Sequence, residues 1–259
     1  MHHPIHDGPE DALDRAAELL GAATEVAVLT GAGVSAESGV ATFRGSGGLW
    51  EGYRIDDVAT PFAFARDPSL VWRFYNIRRK QLWTVKPNTG HHALARMEQR
   101  WGGERFTLIT QNVDGLHRAA GSKHVLEIHG NLTRVRCTHC GHTEERPNED
   151  LPDLPHCDDC RGMLRPDIVW FHEMLPEDVW EAAALATAEC DCFLVVGTSA
   201  VVYPAAGLID AARAAGASVI EINLEATPAT LPGTVALRGK SGEILPRLLE
   251  LVEQPPAPG

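Results

Sequence analysis

Apolar positions along this chain follow two alternating rhythms. Residues 10–22 carry Leu13, Ala16, Ala17, Leu19 and Leu20 at the spacing of an amphipathic helix. Val26-Ala27-Val28-Leu29-Thr30 follows as an unbroken apolar run, the pattern of a strand buried on both faces. The same reading predicts strands at 106–110, 125–128, 192–196, 218–222 and 234–237, and helices at 89–101, 177–188, 204–215 and 242–253. Strands alternating with helices predict an α/β fold, a doubly wound parallel sheet. Two segments break the rhythm. Residues 35–86 hold loops, the run Gly45-Ser46-Gly47-Gly48 and a helix at about 68–83; residues 131–164 hold two pairs of cysteines. Together they are expected to form a smaller inserted domain over one end of the sheet. Pro255-Pro256-Ala257-Pro258 reads as a frayed tail, and His2, His3 and His6 as part of a disordered start.

The cysteine pairs are Cys137-x-x-Cys140 and Cys157-x-x-Cys160. Each turn presents two thiolates to one point, and residues 141–156 form a finger that brings the pairs together. Tetrahedral zinc takes four such soft ligands at about 2.3 Å, so the spacing predicts a structural zinc ribbon with no open position for catalysis. Cys190 and Cys192 remain as free buried thiols, and the pattern suits a reducing cytoplasm.

The chain has 259 residues, 44% hydrophobic and 22% charged, enough for one large α/β domain with a small insert. Its net charge of −12 argues against nucleic acid as a direct partner, because phosphate binding needs clustered Lys and Arg. No run of 18 apolar residues predicts a membrane span. No apolar stripe asks for a second subunit, so a monomer is expected.

The strand ends carry the chemistry. Gly31-Ala32-Gly33-Val34-Ser35 follows the first strand, where glycines let backbone N–H groups approach a pyrophosphate. The third glycine of the dinucleotide fingerprint is missing, which speaks against a hydride-transferring dehydrogenase. The strand at 106–110 runs into Gln111-Asn112-Val113-Asp114-Gly115-Leu116-His117. Those at 192–196 and 218–222 run into Gly197-Thr198-Ser199 and Asn223-Leu224-Glu225, with groups suited to phosphate and ribose hydroxyls. The strand at 125–128 ends in His129-Gly130, a histidine placed to act as general base.

In this order the motifs resemble one family, the sirtuins, NAD-dependent protein-lysine deacylases. Residues 31–44 are similar to the family's NAD-binding signature, residues 111–117 to its second signature, His129-Gly130 to its catalytic His-Gly, and the four cysteines to its zinc ribbon. The resemblance spans about residues 10–250. It implies a Rossmann-like NAD-binding domain of residues 1–34, 87–130 and 165–259, a cofactor loop and helical module at 35–86, and a zinc-ribbon module at 131–164. It implies NAD contacts from Gly31, Ala32, Gly33, Ser35, Thr42, Phe43, Arg44, Gln111, Asn112, Val113, Asp114, Gly197, Thr198, Ser199, Asn223, Leu224, Glu225 and Ser241. His129 and Asn112 would be catalytic, Phe43 and Arg44 part of a loop ordering over NAD, and Val169 and Phe171 part of the edge on which an acyl-lysine peptide or protein lies as an added strand. Products would be the free lysine, nicotinamide and O-acyl-ADP-ribose.

Tyr75-Asn76-Ile77-Arg78 is similar to the Tyr-x-x-Arg pair of class III sirtuins, which binds the carboxylate of succinyl- or malonyl-lysine. At i and i+3 of a helix the two side chains share a face, and Arg with Tyr suits a carboxylate. Ala59 and Ala63 would leave room for a longer acyl chain. Val169-Trp170-Phe171-His172-Glu173 departs from the family at position 172, where glycine is usual. Mono-ADP-ribosyl transfer at the same NAD site is the alternative activity, and a zinc-ribbon binding module without enzymatic activity is the alternative class.

Overall fold

The computed structural model describes residues 9–41, 49–50 and 52–254. Thr42, Phe43, Arg44, the Gly/Ser run, the N-terminal histidines and the Pro-rich tail lie outside them.

The described residues open with α1 (Pro9–Ala22), β1 (Val26–Thr30), α2 (Gly33–Ala36), the hairpin β2 (Leu49–Trp50) and β3 (Tyr53–Arg54), then α3 (Ile55–Val58), α4 (Pro61–Arg66), α5 (Pro68–Leu82) and α6 (Thr89–Trp101). It continues through β4 (Phe106–Thr110), α7 (Leu116–Ala119), β5 (Val125–Glu127), β6 (Gly130–Cys137), β7 (Thr143–Glu145) and β8 (Leu164–Ile168). It closes with α8 (Glu177–Glu189), β9 (Cys192–Val196), α9 (Gly207–Ala214), β10 (Ser218–Asn223), β11 (Val235–Arg238) and α10 (Ser241–Glu253).

Six strands form one parallel sheet in the order β11-β10-β9-β1-β4-β5. Their apolar runs serve two cores because strand side chains alternate faces. Val26 and Val28 pack with Leu20 of α1, Leu94 and Met97 of α6 and Leu245 of α10. Ala27 and Leu29 face the other way, against Ala183 of α8 and Leu208 and Ile209 of α9. The helices start where polar caps satisfy their free N–H groups. Asp67 accepts from Leu70 N at 2.9 Å to open α5, and Asn88 accepts from Gly90 N at 2.9 Å within a capping box that opens α6. Gly102, at φ +80°, ends α6 in a conformation that favours glycine.

The second sheet is antiparallel, in the order β7-β6-β8. It reaches past residues 131–164 at both ends, since β6 starts at Gly130 and β8 runs to Ile168. Its apolar face meets the helices of the 35–86 segment. Val58, Ala63, Val71 and Phe74 pack with Leu132, Ile168 and Trp170, and Trp72 packs with Val135, Cys137 and Leu164. Ala63, expected to line an acyl channel, is fully buried in this core, whereas Ala59 lines the cavity below. Among the described residues no helix is long and apolar enough to cross a membrane.

Candidate functional site

Carboxyl ends of β1, β4, β5, β9 and β10 open into a single cavity of about 990 Å³ between the sheets. Its walls include Gly31, Ala32, Gly33, Gln111, Asn112, Val113, Asp114, His129, Gly197, Thr198, Ser199, Asn223, Leu224, Glu225 and Ser241, together with Tyr75, Arg78, Val169 and Phe171. Of the described residues expected to contact NAD, only Ser35 stands behind the wall, fully buried.

Two turns meet main chain to main chain at its floor. Gly33 N donates to Gly197 O at 2.7 Å. A Cβ on Gly33 would lie 2.6 Å from that same oxygen, so the approach needs glycine. Gly197 is at φ +60°. Side-chain amides bind the neighbouring turns: Gln111 Nε2 to Thr198 Oγ1 at 2.9 Å, Asn223 Nδ2 to Thr198 O at 2.7 Å and Asn112 Nδ2 to Gly31 O at 3.0 Å. The result is a rigid, glycine-rich floor that puts main chain within reach of a phosphate ligand.

A buried polar relay backs this floor. Asn88 N donates to His91 Nδ1 at 3.3 Å, so the ring's Nε2 carries the hydrogen and faces Ser35 Oγ at 3.3 Å. Ser35 in turn donates to Asp114 Oδ2 at 2.7 Å. Burial raises the Asp114 carboxyl, opposed by hydrogen bonds from Leu116 N and Ser35. His117 Nε2 lies 3.0 Å from Thr30 Oγ1. Burial pushes His91 down to about 4 and His117 to about 3, so both rings are neutral.

His129 stands where β5 hands over to β6. Its Nδ1 lies 3.1 Å from Gln111 O, and a carbonyl can only accept, so Nδ1 bears the hydrogen and Nε2 keeps its lone pair. Burial lowers its pKa, with the Gln111 carbonyl acting in the opposite sense. A neutral imidazole with a free Nε2 is the form a general base needs.

Tyr75 and Arg78 sit one turn apart on α5, 1% and 8% exposed. The guanidinium carbon of Arg78 lies 5.9 Å from the Tyr75 ring centroid. The N–H groups of Val169 and Phe171 are bonded inward, to His129 O and Ala59 O at 3.0 Å each. His172 adopts φ +70°, is exposed and lines the cavity. Ser241 lines the cavity too, and its hydroxyl donates to Glu37 at 3.4 Å, while Gly242 N donates to the same oxygen at 2.9 Å. Glu37 thereby caps α10. Sequence reasoning missed it, because it lies far from α10 along the chain. Trp170 and Glu173 were passed over for a similar reason: Trp170 reads as core, and its partners come from two other segments.

The four cysteines lie apart from the cavity lining, with their sulfurs all within 4.8 Å of one another. Cys137 and Cys160 Sγ are 3.4 Å apart, and Cys140 and Cys157 Sγ 3.9 Å. Ligands at about 2.3 Å from tetrahedral zinc stand about 3.8 Å apart, so the set fits the ion. His139 N and Gly162 N each point at a sulfur from 3.4 Å, which favours thiolates.

Comparison with known proteins agrees with this geometry. Residues 31–204 match the model of the Sir2 family. The chain is 50% identical over 240 residues to NAD-dependent protein deacylase 2 of Pyrobaculum aerophilum, covering 92% of this chain and 95% of that one. It is 43% identical over 267 residues to the mitochondrial NAD-dependent protein deacylase sirtuin-5 of Danio rerio, covering 93% and 88%. A Sir2 homologue solved with NAD superposes with a TM-score of 0.86 at 44% identity, covering 97% and 96%. Sir2Af2 bound to a myristoylated histone peptide superposes with a TM-score of 0.74 at 34% identity, covering 94% and 97%.

Proposed function

The chain belongs to the Sir2 family and is an NAD-dependent protein deacylase, and we propose that it acts on lysines whose acyl group ends in a carboxylate, succinyl or malonyl, as well as on acetyl-lysine. The observation that carries this reading is the placement of Arg78. A guanidinium 8% exposed lines the same cavity as His129, beside the buried phenol of Tyr75. A carboxylate at the end of an acyl chain entering that cavity would meet a guanidinium fork and a phenol hydroxyl side by side.

The remaining roles follow from position. The glycine floor and the amides of Gln111, Asn112 and Asn223 would hold NAD, with Asp114 at its nicotinamide end. When bound, NAD supplies a nicotinamide leaving group and a ribose carbon for the acyl oxygen, giving nicotinamide, the free lysine and O-acyl-ADP-ribose. His129 Nε2 would take a proton from a ribose hydroxyl. The peptide would lie along residues 167–171. The cysteines would hold zinc as a structural ion with a filled coordination shell.

The test compares acetyl-, succinyl- and malonyl-lysine peptides with NAD for the natural chain and Arg78→Met. We expect kcat/KM for the acidic acyl peptides to fall about 10- to 100-fold, the usual worth of a charged hydrogen bond, with deacetylation kept. Equal losses on all three would make Arg78 structural. No turnover of any peptide would bring ADP-ribosyl transfer forward.

A further inference from the structure

Tyr75 is the acceptor in one hydrogen bond that fixes what its hydroxyl can do. Trp170 Nε1 lies 3.0 Å from Tyr75 Oη. An indole nitrogen only donates, so the tyrosine oxygen accepts there and its own hydrogen must point elsewhere. Burial pushes the phenol up to about 12, so it keeps that hydrogen throughout the neutral range. Tyr75, Trp170 and Arg78 all line the cavity.

The indole is itself held on three sides. Arg165 stacks its guanidinium 3.5 Å from the Trp170 ring centroid. The same guanidinium forks onto Glu173 at 2.6 and 2.8 Å and donates to Ile168 O at 3.0 Å. Glu173 accepts from Trp170 N at 2.8 Å, and its own N–H returns to Trp170 O at 3.1 Å. Phe64 packs on the ring at 5.2 Å between centroids. An arginine stack, an ion pair and a closed backbone turn leave the indole one orientation.

We infer that Trp170, locked by the Arg165–Glu173 pair, is a positioning residue for acyl selectivity: it occupies the acceptor side of the Tyr75 hydroxyl and so directs the phenolic hydrogen to the carboxylate of the acyl group. The inference rests on the carboxylate-pocket reading of Arg78 and Tyr75. It adds a chain of command from the end of β8 to the pocket, so that selectivity depends on residues that never touch the substrate carboxylate.

Trp170→Phe tests it, because phenylalanine keeps a ring against Arg165 and Phe64 but has no N–H. We expect the ratio of kcat/KM for succinyl- over acetyl-lysine peptide to fall about 3- to 10-fold, the worth of one hydrogen bond, through a higher KM for the succinyl peptide. In a Tyr75→Phe background the same change should leave the ratio where Tyr75→Phe alone puts it, since no hydroxyl remains to orient. Equal losses on both peptides, or an undiminished effect without the hydroxyl, would overturn the inference and reduce Trp170 to packing. If Trp170→Phe keeps an acidic-acyl preference that Arg78→Met abolishes, the inference fails alone. If the natural chain has no such preference, the pocket reading fails and takes the inference with it. Should Trp170→Phe not fold, the indole ¹⁵N–¹H resonance of Trp170 decides: it should move on Tyr75→Phe substitution, and an unmoved resonance would overturn the inference.

Discussion

His129 Nδ1 lies 3.1 Å from the carbonyl oxygen of Gln111, at the end of a different strand. That contact sets the tautomer and leaves Nε2 as the ring's basic atom. Replacing His129 by Ala should lower kcat/KM about 10²- to 10⁴-fold, the usual contribution of a positioned general base, while NAD still binds by calorimetry. Because burial lowers the imidazole pKa, activity should hold as pH drops through the ordinary histidine range near 6.5 and fall only below it. A half-maximal point above pH 7 would show that another group governs the acid limb.

Acid should destabilise the fold before the carboxylates titrate. In the unfolded chain His91 and His117 take up protons near pH 6.5, whereas burial holds them to about 4 and about 3 in the folded one. Between those limits the unfolded state binds more protons, so stability drops as pH drops. Each ring contributes a slope of up to about 1.4 kcal/mol per pH unit. Urea midpoints at pH 7, 6 and 5 should decline step by step. Equal midpoints would mean that the rings are not held neutral.

Zinc removal should be felt beyond the ribbon. Trp72, fully buried on α5, packs in one cluster with Cys137 and Cys157 and donates to Leu164 O at 2.9 Å. Structural zinc is worth about 10–16 kcal/mol to its peptide, and losing even about 4 kcal/mol would lower Tm by roughly 10 °C in a chain of this size. A chelator or Cys137→Ser should release one zinc per chain, lower Tm and change tryptophan fluorescence. An unchanged Tm after complete zinc loss would contradict the shared core.

Most of the parallel sheet was legible because its strands are short, largely apolar and bounded by glycine or polar turns. The expected strand at 125–128 ends one residue earlier, at Glu127, although Ile128 N still donates to Thr110 O of β4 at 3.2 Å. The small sheet was not legible. The alternation of β6 breaks where its pairing with β8 shifts register between Gly130 and Val135, and Arg134 is accommodated by Glu127 at 2.7 Å and Asp167 at 2.9 Å, partners that no local pattern announces. The helices α3 and α4 are too short to display a period, although the Thr60-Pro61 start of α4 is a cap signal that could have found it. Site residues carried by contiguous motifs at strand ends could be read directly. Glu37 capping α10 and Trp170 aimed at Tyr75 are pairings across 205 and 95 positions, which only the folded chain brings together.

The interlocked turns at Gly33 and Gly197 have a consequence for how this chain can change. When a side chain grows in an ordinary core, a neighbour can shrink to make room. Here the atoms that an added methyl would strike belong to main chain, the carbonyl of Gly197 on one side and the peptide of Gly33–Val34 on the other. There is no side chain to trim, so no second substitution restores the fit. The two positions form a mutational dead end, and variation in this molecule must be spent at the rim.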